Sequence, residues 1–122
     1  MDGQSVSERM DGEGMRWYKH LYVGKKAKKK RFTIIQNIRN HRFQTGVHVI
    51  TPPSCGSNVL DIYPAKVLLN DYYKKQEGLL ILGIGADYDE TLEVAGRIVS
   101  DMYRATGGFC TEAFLGRRSQ ET

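Results

Sequence analysis

Cysteine, proline and long apolar runs are all scarce in this sequence of 122 residues. Two cysteines are too few for the disulfide framework of a small secreted domain. The longest apolar run covers residues 78–86, whereas a membrane-spanning helix needs about twenty apolar residues. Hydrophobic residues still make up 40% of the chain and charged residues 26%, which excludes wholesale disorder. We therefore expect one small cytoplasmic α/β domain without a membrane segment.

Acidic residues are missing from segment 15–60, which carries ten Lys or Arg and no Asp or Glu. The preceding segment 1–14 has four acids and one Arg, a net charge of −3. The following segment 61–122 has ten acids and seven bases, which is also −3. The formal net charge of +4 therefore conceals one concentrated positive segment. Such asymmetry predicts an anionic partner.

Composition also sets the expected boundaries of the domain. Residues 1–14 are polar and rich in glycine, so we interpret them as a disordered leader, with Met15 as a candidate natural start. Residues 15–116 form the single α/β domain, and residues 117–122 form a frayed C-terminal tail.

Four segments have the residue pattern of β-strands: 17–23, 47–51, 59–63 and 79–84. The last of these is a continuous apolar run bounded by glycine, which predicts a central strand. Pro64 leaves two alternatives open, since it suits the first position of a helix through Lys75 but also permits a strand that continues past it.

Two segments predict helices. In residues 25–41 the apolar positions follow helical spacing, although cations crowd the first turns and oppose the helix dipole. This conflict indicates a late helix start or a basic segment kept for binding. The second helix begins at Asp87 or Asp89, where Asp87 and Glu90 form a capping-box-like pair, and it ends at Gly107 and Gly108. The expected buried stripes are Ala27, Ile34, Ile35 and Ile38 in the first helix, and Leu92, Ala95, Ile98, Val99 and Met102 in the second.

This order of elements predicts a mixed or parallel sheet of three to four strands with two to three packed helices. A ferredoxin-like α+β arrangement is the alternative.

The basic segment is the strongest indication of function. Lys and Arg neutralise phosphates and release condensed counterions. Nearby aromatic residues could stack on bases if they are exposed, namely Trp17, Tyr18, Tyr22 and Phe32. The sequence has no motif for base readout. It therefore predicts a non-enzymatic module that binds a nucleic-acid backbone or an acidic protein surface. The candidate binding residues are Lys25, Lys26, Lys28, Lys29, Lys30, Arg31, Arg39 and Arg42.

The loop after the second strand is a weaker candidate site. Its small polar residues and backbone N–H groups could hold an anion, through Ser54, Gly56, Ser57 and Asn58. Cys55 could be a nucleophile in a small cysteine-dependent enzyme if a histidine activated it. The available bases are His20, His41 and His48. An ordinary surface turn with an inert thiol remains the favoured interpretation of this loop.

Other features of the sequence give weaker indications of function. A structural or regulatory subunit that forms homo- or hetero-oligomers is the alternative function, with Tyr72, Tyr73 and Tyr103 suited to an interface. The turn 83–87 lacks the third glycine of a dinucleotide fingerprint, so we expect no cofactor and interpret its glycines as packing positions. The two cysteines and three histidines fit no metal pattern. A buried Asp61 would need a partner, for which Lys66 or Arg97 is the expected group.

Overall fold

The computed structural model describes residues 16–54, 58–69 and 79–120. Its strands are β1 (Arg16–Val23), β2 (His48–Thr51), β3 (Asp61–Pro64) and β4 (Leu80–Gly85). Its helices are α1 (Lys25–Lys29), α2 (Arg31–Arg39), a 3₁₀ helix (Ala65–Leu69), α3 (Tyr88–Thr106) and α4 (Thr111–Gln120). The predicted α/β class is confirmed. Several predicted features lie outside the described residues: the leader 1–14, the loop residues Cys55, Gly56 and Ser57, and Tyr72 and Tyr73.

The sheet is mixed, with strand order β1-β4-β2-β3. β1 runs parallel to β4, and β2 runs antiparallel to both β4 and β3. β4 is an interior strand, as its continuous apolar run predicts. A ferredoxin-like sheet has its first strand in the interior, whereas β1 lies at an edge here, so the alternative arrangement is not the observed one.

Helices cover both faces of the sheet. On one face α1, α2 and the 3₁₀ helix pack on Ile81 and Ile84 of β4. On the other face α3 and α4 pack on Leu80 and Leu82. Because β1 and β4 are parallel, with Val23 beside Ile84, the carboxyl ends of both strands lie at the same end of the sheet. Helices α1 and α3 therefore both begin at that end.

The helix predicted over residues 25–41 is broken at Lys30, whose φ of −117° and ψ of 19° are not helical. The Lys30 N–H donates to the Ala27 carbonyl at 3.0 Å, a short-range bond that tightens and ends α1. Ala27, Ile34 and Ile38 are buried as predicted, and Ile35 is half-buried. The two helices together thus keep one apolar face on the sheet.

Residues 59–69 resolve the choice at Pro64. The strand begins at Asp61 rather than at residue 59, and it includes Pro64 as its last residue. This position suits proline because β3 is an edge strand and does not need every backbone N–H. A 3₁₀ helix follows and buries Leu68, so the predicted α-helix is not seen within the described part of this segment.

The buried face of α3 agrees with the predicted one at Ile98 and Met102 and differs from it elsewhere. The residues that are buried against the sheet are Thr91, Val94, Ile98 and Met102. The prediction for Leu92 was wrong because its side chain is 45% exposed, and Val99 is only half-buried. Relative to the prediction, α3 is turned so that its first turn faces the ends of the two parallel strands. Glu90 packs against Gly24, which follows β1, and Thr91 packs against Gly85, the last residue of β4. Gly107, with a φ of 78°, ends α3 as expected.

Candidate functional site

An open groove of about 520 Å³ lies beside α1 and α2 on the face opposite α3. We call it the basic groove. Its lining residues are Lys28, Lys29, Arg31, Phe32, Ile35, Gln36 and Arg39. Four of the eight predicted binding residues therefore meet at one surface feature.

The other four predicted residues do not line this groove. Lys25, Lys30 and Arg42 are exposed elsewhere on the same part of the chain. The Lys26 ammonium pairs with the Asp87 carboxylate at 2.9 Å, and this hydrogen bond raises the Lys26 pKa. Lys26 is thus neutralised by the C-terminal half of the chain and adds little to the positive surface.

Three cations of the basic groove have no acidic partner among the residues that the structure describes. Lys28, Lys29 and Arg31 are exposed and form no ion pair with any residue that the structure describes. Their charge therefore faces solvent, where a mobile counterion atmosphere balances it. Such counterions can be released when a polyanion binds.

The four aromatic residues near the basic segment have different environments. Trp17 and Tyr18 are buried on opposite faces of the sheet, so neither can stack on a base. Tyr22 is half-buried and donates its hydroxyl to Asp101 at 2.6 Å. Phe32 is 75% exposed and lines the basic groove. The structure therefore places one of the four aromatic rings among the cations.

A carboxylate from α3 fixes the start of α1. Glu90 is 6% exposed, and it accepts hydrogen bonds from the Lys26 N–H at 2.5 Å and the Ala27 N–H at 3.1 Å. It also accepts the Ala86 N–H at 2.8 Å. The predicted capping pair was therefore only half right: Asp87 caps α3 through the Glu90 N–H, but Glu90 reaches across to α1 instead of returning to Asp87.

The surroundings of Glu90 keep it ionised. Burial raises the pKa of its carboxyl, but the three N–H donors outweigh burial, and the net pKa is lowered. Gly24 makes room for the carboxyl, since a Cβ at residue 24 would lie well inside van der Waals contact with Cγ, Cδ and Oε1 of Glu90. The Lys26 and Ala27 N–H groups are thus occupied by Glu90, and a ligand in the basic groove would contact the side chains that line it.

The loop after β2 is organised by Asp61. Its Oδ2 accepts the Ser54 N–H at 2.8 Å and the Ser54 hydroxyl at 2.7 Å, and its Oδ1 accepts the Asn58 amide at 3.2 Å. Burial raises the Asp61 pKa, but these bonds and the Tyr63 hydroxyl lower it overall. The expected partners of Asp61 were wrong, since Arg97 donates to the Val23 carbonyl and Lys66 forms no bond to Asp61. Ser54 and Asn58 already serve an internal anion, and Gly56 and Ser57 lie outside the described residues.

The cysteine hypothesis is not tested by the described residues, because Cys55 is outside them. Cys110 is an exposed free thiol. His48 begins β2, whereas the loop that carries Cys55 follows the last residue of that strand, Thr51. The His48 ring contacts the Gly46 carbonyl at 2.6 Å and the Tyr88 ring edge-on. Activation of Cys55 by a histidine therefore stays a prediction.

The two glycines of the predicted turn, Gly83 and Gly85, lie within β4 and are packing positions. A Cβ at Gly85 would approach the backbone N and Cα of Thr91 to 2.8 and 2.9 Å. Thr91 is fully buried and donates its hydroxyl to the Asp87 carbonyl at 2.7 Å. The interpretation of these glycines as close helix–sheet packing positions is confirmed.

Comparison with protein-family models, with curated proteins and with solved structures found no match. No helix among the described residues is both long enough and apolar enough to cross a membrane.

Sequence reasoning missed the role of Glu90 and the groove residues Ile35 and Gln36. A signal for the first was present, since α1 starts after Gly24 with cations and no acid in its first turn. Such a helix start needs an anion from elsewhere. The sequence does not say which of the ten acids beyond residue 60 supplies it.

Proposed function

We propose that this protein is a non-enzymatic module that binds the backbone of a nucleic acid through the basic groove. The observation that carries the proposal is the grouping of Lys28, Lys29 and Arg31 around one groove, exposed and without ion pairs to the described residues. Arg39 lines the same groove and extends the positive surface. Binding would be driven by the release of counterions from the phosphates.

The direct test measures binding as a function of salt. We expect labelled single-stranded RNA, single-stranded DNA and duplex DNA to bind with affinities that fall as salt rises. With four phosphates neutralised, the slope of log affinity against log salt is about −3 for a single strand. Affinities that do not change with salt, or no binding to any of the three probes, would overturn the proposal.

Charge variants locate the binding surface. The double variant Lys28→Gln, Lys29→Gln removes two groove cations, so the slope should become shallower by about 1.5. Lys19→Gln with Lys66→Gln is the matched control, because both lysines are exposed, form no ion pair with the described residues and do not line the groove. If the two double variants lose affinity equally, the loss comes from the lower net charge of the protein, and the groove is not the binding surface.

Phe32 makes single strands the favoured form of nucleic acid. An exposed ring among cations can stack on an unpaired base, and such stacking is worth roughly 1–3 kcal/mol per base. Phe32→Ala should therefore weaken single-strand binding by about tenfold while leaving the salt slope unchanged, whereas Phe32→Tyr keeps the ring and the affinity. Duplex binding should be insensitive to both variants.

An acidic protein surface is negatively charged like a nucleic acid but has no nucleobases on which Phe32 could stack. Poly-glutamate is the probe that separates the two partners. If it binds as tightly as single-stranded RNA at the same salt concentration, and Phe32→Ala has no effect on either, the partner is an acidic peptide and the nucleic-acid proposal fails. The cytoplasmic location stays part of the proposal and rests on the low cysteine content.

A further inference from the structure

Helix α2 contributes two rows of side chains to the basic groove. One row contains Arg31, Ile35 and Arg39, which follow each other at intervals of one helical turn. The second row contains Phe32 and Gln36, again one turn apart, and it carries no charge. A single strand whose phosphates lie at the charged row can therefore place a base at the uncharged row.

Gln36 has a side-chain amide that the protein itself does not use. It is half-buried and forms no hydrogen bond with any of the residues described in the structure. The neighbouring amides differ, since Asn37 donates to the side-chain oxygen of Gln44 at 3.3 Å, and Gln44 donates to the Ile34 carbonyl at 3.3 Å. Those two bonds attach the segment after α2 to the helix. The Gln36 amide thus keeps its acceptor oxygen and its N–H donors for a ligand in the groove.

The spacing of Phe32 and Gln36 suits one nucleobase. Residues at this interval on a helix are neighbours, with Cβ atoms about 5–6 Å apart. Phe32 is 75% exposed, so a base can lie flat on its ring. The edge of that base then lies beside the residue one turn further along the groove, which is Gln36. Stacking and edge recognition can therefore act on the same base.

We propose that Phe32 and Gln36 form a subsite for one unpaired adenine. The N6 amino group of adenine is a donor and lies beside a ring nitrogen that is an acceptor, so a glutamine amide can bind both. Cytosine presents a similar pair of groups but offers a smaller ring to Phe32, and guanine presents two acceptors that suit arginine better. The inference rests on the proposed nucleic-acid function and adds a base preference to binding through the backbone.

The first test measures base preference at constant length and charge. The probes are short oligouridylates with uridine, adenosine, cytidine or guanosine at the central position, so the number of phosphates is the same in each. The full chain should bind the adenosine probe about tenfold more tightly than the uridine probe, the lower end of what a bidentate contact gives. Equal affinity for all probes, or tighter binding of the cytidine or guanosine probe, would overturn the proposal.

The second test assigns the preference to Gln36. Gln36→Leu removes the amide and keeps a side chain of similar size, so the adenosine probe should bind only as tightly as the uridine probe, with an unchanged salt slope. Asn40→Leu is the matched control, because it removes an exposed amide that follows α2 outside the groove, and it should keep the preference. Circular dichroism checks that both variants are folded. A preference for adenosine that survives in Gln36→Leu would come from stacking alone, and the role of Gln36 would be wrong.

A chemical variant of the probe tests the same contact without changing the protein. Purine riboside keeps the stacking face of adenosine but lacks the N6 amino group. The wild type should bind a probe with central purine riboside about tenfold more weakly than the adenosine probe, whereas Gln36→Leu should bind the two equally. If the wild type does not distinguish them, the amide does not contact the adenine edge.

The subsite and the proposed function fail in different ways. If the uridine probe binds with a salt slope of about −3 but no central base is preferred, the groove binds a backbone and the adenine subsite is wrong. If no probe binds at low salt, the nucleic-acid function is wrong, and the subsite fails with it.

Discussion

Helices α1 and α3 begin at the same end of the sheet, but their first turns are stabilised by different residues. Helix α3 has the local signals of a helix start: Asp87 accepts the Glu90 N–H, and two acids, Asp89 and Glu90, lie in the first turn. Helix α1 has no side-chain cap of its own and no acid in its first turn. It begins with two lysines that oppose the helix dipole.

The difference shows that α1 depends on a tertiary contact where α3 depends on its own sequence. Glu90 satisfies the orphan N–H groups of Lys26 and Ala27, which a local cap would otherwise satisfy. Because the stabilising acid comes from α3, no acid is needed within α1, and its cations other than Lys26 form no ion pair with the described residues. That is the arrangement we expect if those cations serve a partner.

Gly85→Ala should have the largest effect on stability, and it acts at the start of α3. The new Cβ would meet the backbone N and Cα of Thr91, which cannot move without displacing the start of α3. We expect a loss of about 4 kcal/mol in the free energy of unfolding, measured by denaturant titration. Gly96→Ala is the control, since a Cβ there meets nothing within 4 Å and should stabilise α3 by about 0.5–1 kcal/mol. Equal effects at the two glycines would contradict the packing argument.

Glu90→Ala should have the next largest effect. It leaves the Ala86, Lys26 and Ala27 N–H groups without their acceptor, at a cost of about 3 kcal/mol. Amide hydrogen exchange should show the loss concentrated in α1, whereas α3 keeps its own cap. Glu93→Ala, three residues away and exposed, should change stability by less than about 0.5 kcal/mol. Uniform loss of protection in both helices would mean that Glu90 does not act mainly on α1.

Gly24→Ala sharpens the comparison by attacking the same contact from the other side. The added Cβ forces the Glu90 carboxyl away from α1, which should cost about 2 kcal/mol. In a Glu90→Ala background the space is empty, so the same substitution should cost about 0.5 kcal/mol or less. Denaturant titration of the four proteins in this cycle gives the coupling between the two residues. Additive costs would rule out a direct clash.

The sequence predicts those parts of the fold that depend on neighbouring residues. The central position of β4 follows from its apolar run, and the end of α3 follows from Gly107. The break at Lys30 and the exposure of Leu92 could not be predicted, because each depends on how a helix is oriented on the sheet. Periodicity shows that Leu92 and Val99 are apolar positions, but it does not show which way the helix is turned on the sheet.

The candidate site shows the same division. The absence of acids in residues 15–60 indicates the positive surface directly, and Phe32 is one of the four aromatic residues that the sequence offers for stacking. Burial of Trp17 and Tyr18, and neutralisation of Lys26 by Asp87, depend on contacts with residues that are distant along the chain. The sequence therefore gives the composition of the site, and the sheet decides which of its members reach solvent.

The pH dependence of stability is the mildest test of the α1 contact. The folded-state pKa of Glu90 is lower than the unfolded value of about 4.3, so ionised Glu90 stabilises the fold at neutral pH. This contribution is present above the unfolded pKa and is lost as the pH falls through the folded one. From about pH 6 to about pH 3 the wild type should therefore lose more stability than Glu90→Gln, which has no proton to bind at that position. Asp61, whose pKa is also lowered, titrates alike in both proteins and cancels in the difference. Asp87 repels the Glu90 carboxylate, so its titration differs between the two proteins by that interaction. If the stability gap stays constant with pH, the Glu90 carboxylate charge does not stabilise the start of α1.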